Sequence, residues 1–252
     1  MAFVGSTAIV TGGASGIGLG ISQRLAGDGA KVSVFDVDPE QAERAAKSIR
    51  DAGGDAIACE VDVSDRAQVD EAVERTRREL GPVLVLVNSA GKDGFDRFMD
   101  ITTEDWERII AINLTGTFHV TQSVLPDMID AKWGRIVNIS SSSAQTGAVM
   151  MGHYSASKGG VIALTKTLAL ELGPLGITVN TIPPGAIDTP MSRRAAADGR
   201  FGGGTLDDVG RHLPVRRVGV PDDIAAACAY LVSDEAGYVT GQIIGVNGGR
   251  VT

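Results

Sequence analysis

Tyr154 and Lys158 stand four residues apart in the run Tyr154-Ser155-Ala156-Ser157-Lys158, at the start of a stretch with helical patterning. That spacing puts both side chains on one helix face. A phenol, with an ordinary pKa of about 10, is a poor base at neutral pH, and a neighbouring ammonium favours its phenolate. The pair is therefore suited to moving a proton to or from an oxygen. Ser141 lies 13 residues before Tyr154, just past an apolar run, and offers a hydroxyl where charge would develop on a substrate oxygen. Four consecutive serines, Ser140 to Ser143, leave that assignment open by one position.

A second region suits phosphate chemistry. Thr11-Gly12-Gly13-Ala14-Ser15-Gly16-Ile17-Gly18 follows an apolar run and leads into a helical pattern. Gly12 permits a tight turn, Gly16 lets a pyrophosphate approach the backbone, and Gly18 lets the helix pack closely on the strand. The helix start, with Ser15 and Ile17, then presents free N–H groups and a positive dipole to the phosphates. Asp36 closes the next strand pattern 18 residues after Gly18, where a carboxylate can hold the ribose hydroxyls and repel a 2′-phosphate. Ser15 is uncharged, Val37 is apolar, and no Lys or Arg adjoins either position. The expected cofactor is NAD rather than NADP. Asp62, followed by Val63, could bind the adenine amino group or cap the loop before Ser64-Asp65.

The elements that must position these residues alternate along the chain. Apolar runs at 7–11, 31–36, 56–60, 83–88, 135–140, 178–182 and 242–246 read as strands, several of them covered on both faces. Helical patterns lie at 17–29, 39–53, 65–81, 103–131, 155–173 and 222–233, with Asp38-Pro39 and Pro221-Asp222 as start signals and Gly53, Gly81 and Gly173 as ends. The expected fold is α/β: a single Rossmann-type, doubly wound, seven-stranded parallel sheet with helices on both faces. Residues 191–213, polar and Gly-rich, break the rhythm and read as a substrate lid with short helices of its own.

The 252 residues suffice for one large domain, and the 33 glycines exceed the usual share of roughly 7%. A formal charge of −8 argues against nonspecific binding to nucleic acid or an anionic membrane. Cys59 and Cys228 match no disulfide or metal spacing, and His119, His153 and His212 are scattered, so no metal is expected. No apolar run reaches the roughly 20 residues needed to span a bilayer, and the N-terminus lacks a secretory pattern. The expected location is cytoplasmic.

With TGGASGIG at 11–18, NSAG at 88–91, Asn113 within AINLTG, Ser141, YSASK at 154–158 and PPGAIDTPM at 183–191, the chain resembles the short-chain dehydrogenase/reductase family over essentially its whole length. The resemblance implies that Tyr154 is the general acid/base and that Lys158 assists it and holds the nicotinamide ribose. Ser141 would orient the substrate oxygen, and Asn113 would hold a water in a proton relay. Backbone at Asn88, Ala90 and Gly91 would flank the cofactor. The loop carrying Pro184, Gly185, Ile187 and Thr189 would contact the carboxamide. Departures are Ser89, where the family usually has a second Asn, and the additional Pro183.

Substrate contacts are expected from Gln145, Met151 and an apolar wall including Val149 and Met150, while Arg193, Arg194 and Arg200 could meet an anionic carrier. The implied reaction interconverts a secondary alcohol and a ketone, with a 3-hydroxyacyl/3-oxoacyl thioester favoured over steroid or polyol substrates. The alternatives are an NADP-linked reductase and a catalytically silent dinucleotide sensor. A homotetramer, built partly through the helices at 103–131 and 155–173, is also implied.

Overall fold

A computed structural model describes residues 4–200 and 204–252, so part of the expected lid, residues 201–203, lies outside the described residues. The chain alternates strand and helix: β1 Thr7–Thr11, α1 Gly16–Gly27, β2 Lys31–Asp36, α2 Pro39–Asp51, β3 Asp55–Glu60, α3 Arg66–Leu80 and β4 Val83–Asn88. The second half carries α4 Thr103–Ile110, α5 Gly116–Ala131, β5 Gly134–Ile139, α6 Ser143–Thr146, α7 Gly152–Leu172 and β6 Ile177–Ile182. It closes with α8 Pro190–Ala197, α9 Leu206–His212 and α10 Pro221–Val232.

All paired strands are parallel, in the order β3-β2-β1-β4-β5-β6. Strand order reverses between β1 and β4, so a crevice opens beyond their carboxyl ends, at Thr11 and Asn88. Alternate side chains of each strand enter separate cores. Val10, Val34, Val87 and Val137 pack with α1, α2 and α10, while Ile9, Phe35, Leu86 and Ile136 pack with α3, α5 and α7.

Local chemistry sets the helix starts. Asp38 accepts from the Gln41 N–H at 2.9 Å ahead of Pro39, and Asp65 accepts from Ala67 N–H at 2.9 Å, each satisfying amides that the first helical turn leaves unpaired.

Two expectations are corrected. Among the described residues the sheet has six strands, not seven. Residues 242–246 do run parallel beside β6, but only through isolated bridges at Thr181–Ile243 and Pro184–Val246. The reason is Pro183. Thr181 N donates to Gln242 O at 3.0 Å and Gly185 N donates to Val246 O at 3.2 Å, so the intervening bond of this ladder belongs to residue 183. Proline has no N–H to give, and the ladder is interrupted there. The second correction concerns the helix expected at 103–131, which is broken by a π-helical turn at Ala111–Thr115.

Candidate active site

The glycine-rich loop crosses from β1 to α1 at the switch point. Gly12 has φ +61°, and a side chain there would lie 2.9 Å from Ala90 Cα on the far wall of the crevice. A side chain on Gly18 would collide with the Gly12 carbonyl, so helix α1 can pack this closely on β1 only with glycine at that position. Ser15, exposed, sits at the N-cap of α1 without bonding its amides through its side chain, which leaves the N–H groups of the first turn, from Gly16 and Ile17 onward, available to an anion. Across the loop, Thr189 caps α8 through Ser192 and lies 3.3 Å from where a Gly16 side chain would begin. Asp36 ends β2 and supports the cradle from below: Oδ2 accepts from Ala14 N and Oδ1 from Asp38 N, each at 3.2 Å.

Other expected cofactor residues are placed less directly. Asp62 Oδ1 accepts from Ser64 N at 2.9 Å and Ser64 Oγ at 2.6 Å, which is the loop-capping geometry; Val63 beside it is buried. Asn88 turns its side chain into the sheet, where Nδ2 donates to Thr121 Oγ1 at 3.1 Å and Asn138 Oδ1 at 2.9 Å. Only its backbone and that of Ala90 and Gly91 border the crevice, where Thr11 Oγ1 accepts from both Ser89 N and Ala90 N at 3.0 Å. Pro184 O accepts from Ser142 N at 2.9 Å, Gly185 fits tightly against Asn247, and Ile187 is buried in the core.

At the carboxyl end of β5, Ser140 is removed from contention because its hydroxyl donates to Lys158 O at 2.8 Å. Ser141 instead accepts from Ser143 Oγ at 2.9 Å and meets the Tyr154 phenol. Tyr154 lies in the first turn of α7, with Lys158 one turn later. Lys158 is buried and its Nζ donates to Ile139 O at 2.9 Å. Burial pulls its pKa down to about 8. Burial raises the Tyr154 phenol above its ordinary range; the Ser141 hydrogen bond opposes that rise and the Asp93 charge adds to it. The ammonium thus faces a carbonyl, and the expected lowering of the phenol by Lys158 is not what the protein alone provides.

Asn113 is fully buried in the π turn. Its Oδ1 accepts from Lys92 N at 2.8 Å, and Nδ2 donates to Lys92 O and Ser157 Oγ, both at 3.0 Å. Ser157 Oγ in turn donates to Tyr154 O at 2.7 Å, so one polar chain joins the β4 loop, the π turn and the start of α7. Sequence reasoning passed over Ser157, although it sits inside YSASK. It also passed over Thr11, Thr121 and Asn138, whose roles depend on strand register.

On the substrate side, Gln145 and Val149 are exposed, while Met151 bridges Asp96. Arg193 is paired with Asp188, Nε to Oδ1 at 2.6 Å, and Arg200 with Asp93 at 3.4 Å and Asp198 at 3.2 Å. Arg194 is exposed.

A family model described as enoyl-(acyl carrier protein) reductase matches residues 12–250. The chain belongs to the short-chain dehydrogenase/reductase family. It is 41% identical to an acetoacetyl-CoA reductase of Cupriavidus necator over 96% of both chains, and 38% identical to a 3-oxoacyl-[acyl-carrier-protein] reductase of Thermotoga maritima over the full length of both. A solved actinorhodin polyketide ketoreductase, a point variant in complex with NADPH, superposes with a TM-score of 0.92 at 37% identity, covering 97% of this chain and 96% of the other. As a member of this family, the chain is an oxidoreductase of hydroxyl and keto groups that works with a nicotinamide cofactor.

Proposed function

We propose that this dehydrogenase/reductase interconverts 3-oxoacyl and 3-hydroxyacyl thioesters with NAD(H). The observation that carries the reading is the meeting of Ser141 with the Tyr154 phenol, with Lys158 one helical turn further on and its Nζ against Gly91, beside the glycine-rich cradle. The thioester class is supported by the acetoacetyl-CoA and 3-oxoacyl reductases among the relatives. NAD is supported by Asp36, since a 2′-phosphate would meet a carboxylate there and residues 12–18 and 36–38 include no cation.

In this reading Gly12, Gly16 and the first amides of α1 hold the pyrophosphate, and the backbone at 88–91 and 184–189 borders the nicotinamide. Bound there, the nicotinamide would be the hydride donor or acceptor for the substrate carbon. Tyr154 donates its proton to the carbonyl oxygen in reduction and takes it back in oxidation. Ser141 hydrogen-bonds that oxygen as negative charge builds on it. Lys158, charged below pH of about 8, would hold the nicotinamide ribose and favour the phenolate left behind. Asn113 fixes the Lys92 backbone and, through Ser157, the first turn of α7. Helices α8 and α9 of the expected lid cover the substrate.

The test is turnover of acetoacetyl-CoA with NADH and with NADPH, followed by cofactor absorbance, with Tyr154→Phe as control. Activity with NADH well above that with NADPH is expected. No turnover would sink the thioester assignment, and a large preference for NADPH would sink the cofactor assignment.

A further inference from the structure

The loop following β4 runs antiparallel to the start of α7, past the catalytic residues. Gly91 lies against Lys158 Nζ, with a side chain there falling 3.2 Å from it. Gly94 packs against the His153 ring, and Asp96 N donates to Met150 O at 2.8 Å. Tyr154 stands between His153 and Lys158 in sequence, and Asp93 stands between Gly91 and Gly94. Asp93 lies in this stretch of loop, and the charge of its carboxylate reaches the Tyr154 phenol and raises its pKa.

That carboxylate has a partner from the other side of the cleft. Arg200 Nη1 lies 3.4 Å from Asp93 Oδ2, and its guanidinium carbon is 5.7 Å from the centre of the Phe95 ring in the same loop. Arg200 is not a loose side chain on a loose strand. Gly199 has φ +72°, Gly199 N donates to Ala196 O at 3.0 Å, and Arg200 N donates to Ala195 O at 3.0 Å. This is the hydrogen-bond pattern that terminates a helix on a left-handed glycine, and it ties Arg200 rigidly to α8. A third contact, Arg200 Nη2 to Asp198 at 3.2 Å, fixes the guanidinium further.

We propose that Asp93 and Arg200 are positioning residues that act as a latch: their ion pair holds the end of α8 against the β4 loop and at the same time balances the charge that borders Tyr154. The inference deepens the dehydrogenase/reductase reading and rests on Tyr154 being its acid/base. Its consequence is a coupling. With α8 in place, Arg200 offsets Asp93; with α8 displaced, the Asp93 carboxylate is left uncompensated beside the phenol and disfavours the phenolate. Asp93 acts on Tyr154 in that direction. The charged and titratable groups gathered at this end of α7 include Lys158 and His153 of the helix, Lys92, Asp93 and Asp96 of the loop, and Arg200 with Asp198.

The experiment reads Tyr154 directly. Tyrosinate absorbance is titrated in the full-length protein, and the titration of Tyr154→Phe is subtracted to remove Tyr230 and Tyr238. Arg200→Gln is expected to move the Tyr154 titration to higher pH, and Asp93→Asn to lower pH. If Arg200 acts only while Asp93 holds it, Arg200→Gln adds no shift in the Asp93→Asn background. Arg200→Lys, which keeps the charge, should restore most of the wild-type titration. Amide exchange across residues 190–200 should be several-fold faster in both single variants. A wild-type titration and wild-type exchange in Arg200→Gln would overturn the latch, as would a shift of equal size with and without Asp93. Neither measurement needs substrate, so inactivity on acetoacetyl-CoA would fail the thioester assignment and leave this test intact.

Discussion

Tyr154 and Lys158 are both shifted toward their neutral forms, because burial penalises a phenolate and an ammonium alike. The sign of the pH dependence follows. Reduction needs the protonated phenol, so its kcat/KM should be flat through neutral pH and fall only on the alkaline side. Oxidation needs the phenolate and should climb with pH across the same range; parallel profiles in the two directions would contradict the assignment of Tyr154. Tyr154→Phe should lower kcat by about 10²- to 10⁴-fold, the usual scale of a general acid/base contribution, while cofactor binding measured by fluorescence stays near wild type. Asp36 has a double burden, since the carboxylate proposed to hold the ribose also holds the Ala14 amide. Loss of a charge-assisted hydrogen bond is worth about 1.5–3 kcal/mol, so Asp36→Asn should raise the KM for NADH by roughly 10- to 100-fold and that for NADPH less. Equal effects on both would show that Asp36 serves only the loop.

At the scale of elements, Pro183 has a consequence that its neighbours expose. Pro183→Ala would supply an N–H at the vacant rung between the Thr181 and Gly185 bonds, and residues 242–246 should become a regular seventh strand. The net bond, about 0.5–1.5 kcal/mol, is offset by the lost rigidity of proline, about 0.4–1 kcal/mol. Denaturant midpoints should therefore barely move, while the new amide at 183 should exchange slowly; fast exchange would mean the ladder is broken for another reason. The strands, the capped helices and the glycine-rich turn were legible because each leaves a local mark: a continuous apolar run, an Asp before a Pro, glycines between strand and helix. The π turn around Asn113 leaves none, since AINLTG reads as ordinary helix until its polar side chain is seen clamping Lys92. Asn88 illustrates the other gap. Its motif marks the crevice, yet whether its side chain faces the cofactor or the sheet depends on register with Thr121 and Asn138, which lie 33 and 50 residues away.

For the whole molecule, the helices on one side of the sheet carry more apolar surface than a lone chain has use for. Leu170 on α7 is 81% exposed, Phe118 on α5 44%, and Trp106 on α4 39%. All three lie on the helices through which the family resemblance implies assembly, and exposed large apolar residues on such faces are a mark of interfaces. None of them is one of the crevice residues described above, so a charge placed there tests assembly without replacing a catalytic group. Burying one leucine side chain contributes about 1.5–3 kcal/mol, and closed symmetry repeats each contact in every copy. Leu170→Glu and Phe118→Glu should therefore shift the mass measured by light scattering from that of the tetramer implied by the family resemblance to smaller species. If both variants keep the wild-type mass, or if the wild-type chain is already a monomer at micromolar concentration, these faces are not the assembly surface. The two cysteines supply an internal check that such variants remain folded. Cys228 is fully buried with its thiol pushed up to about 12, and Cys59 is buried against Ser33. Both should resist thiol reagents in every intact species and react only on unfolding, so a dissociated variant with unreactive thiols has lost its partners and kept its core.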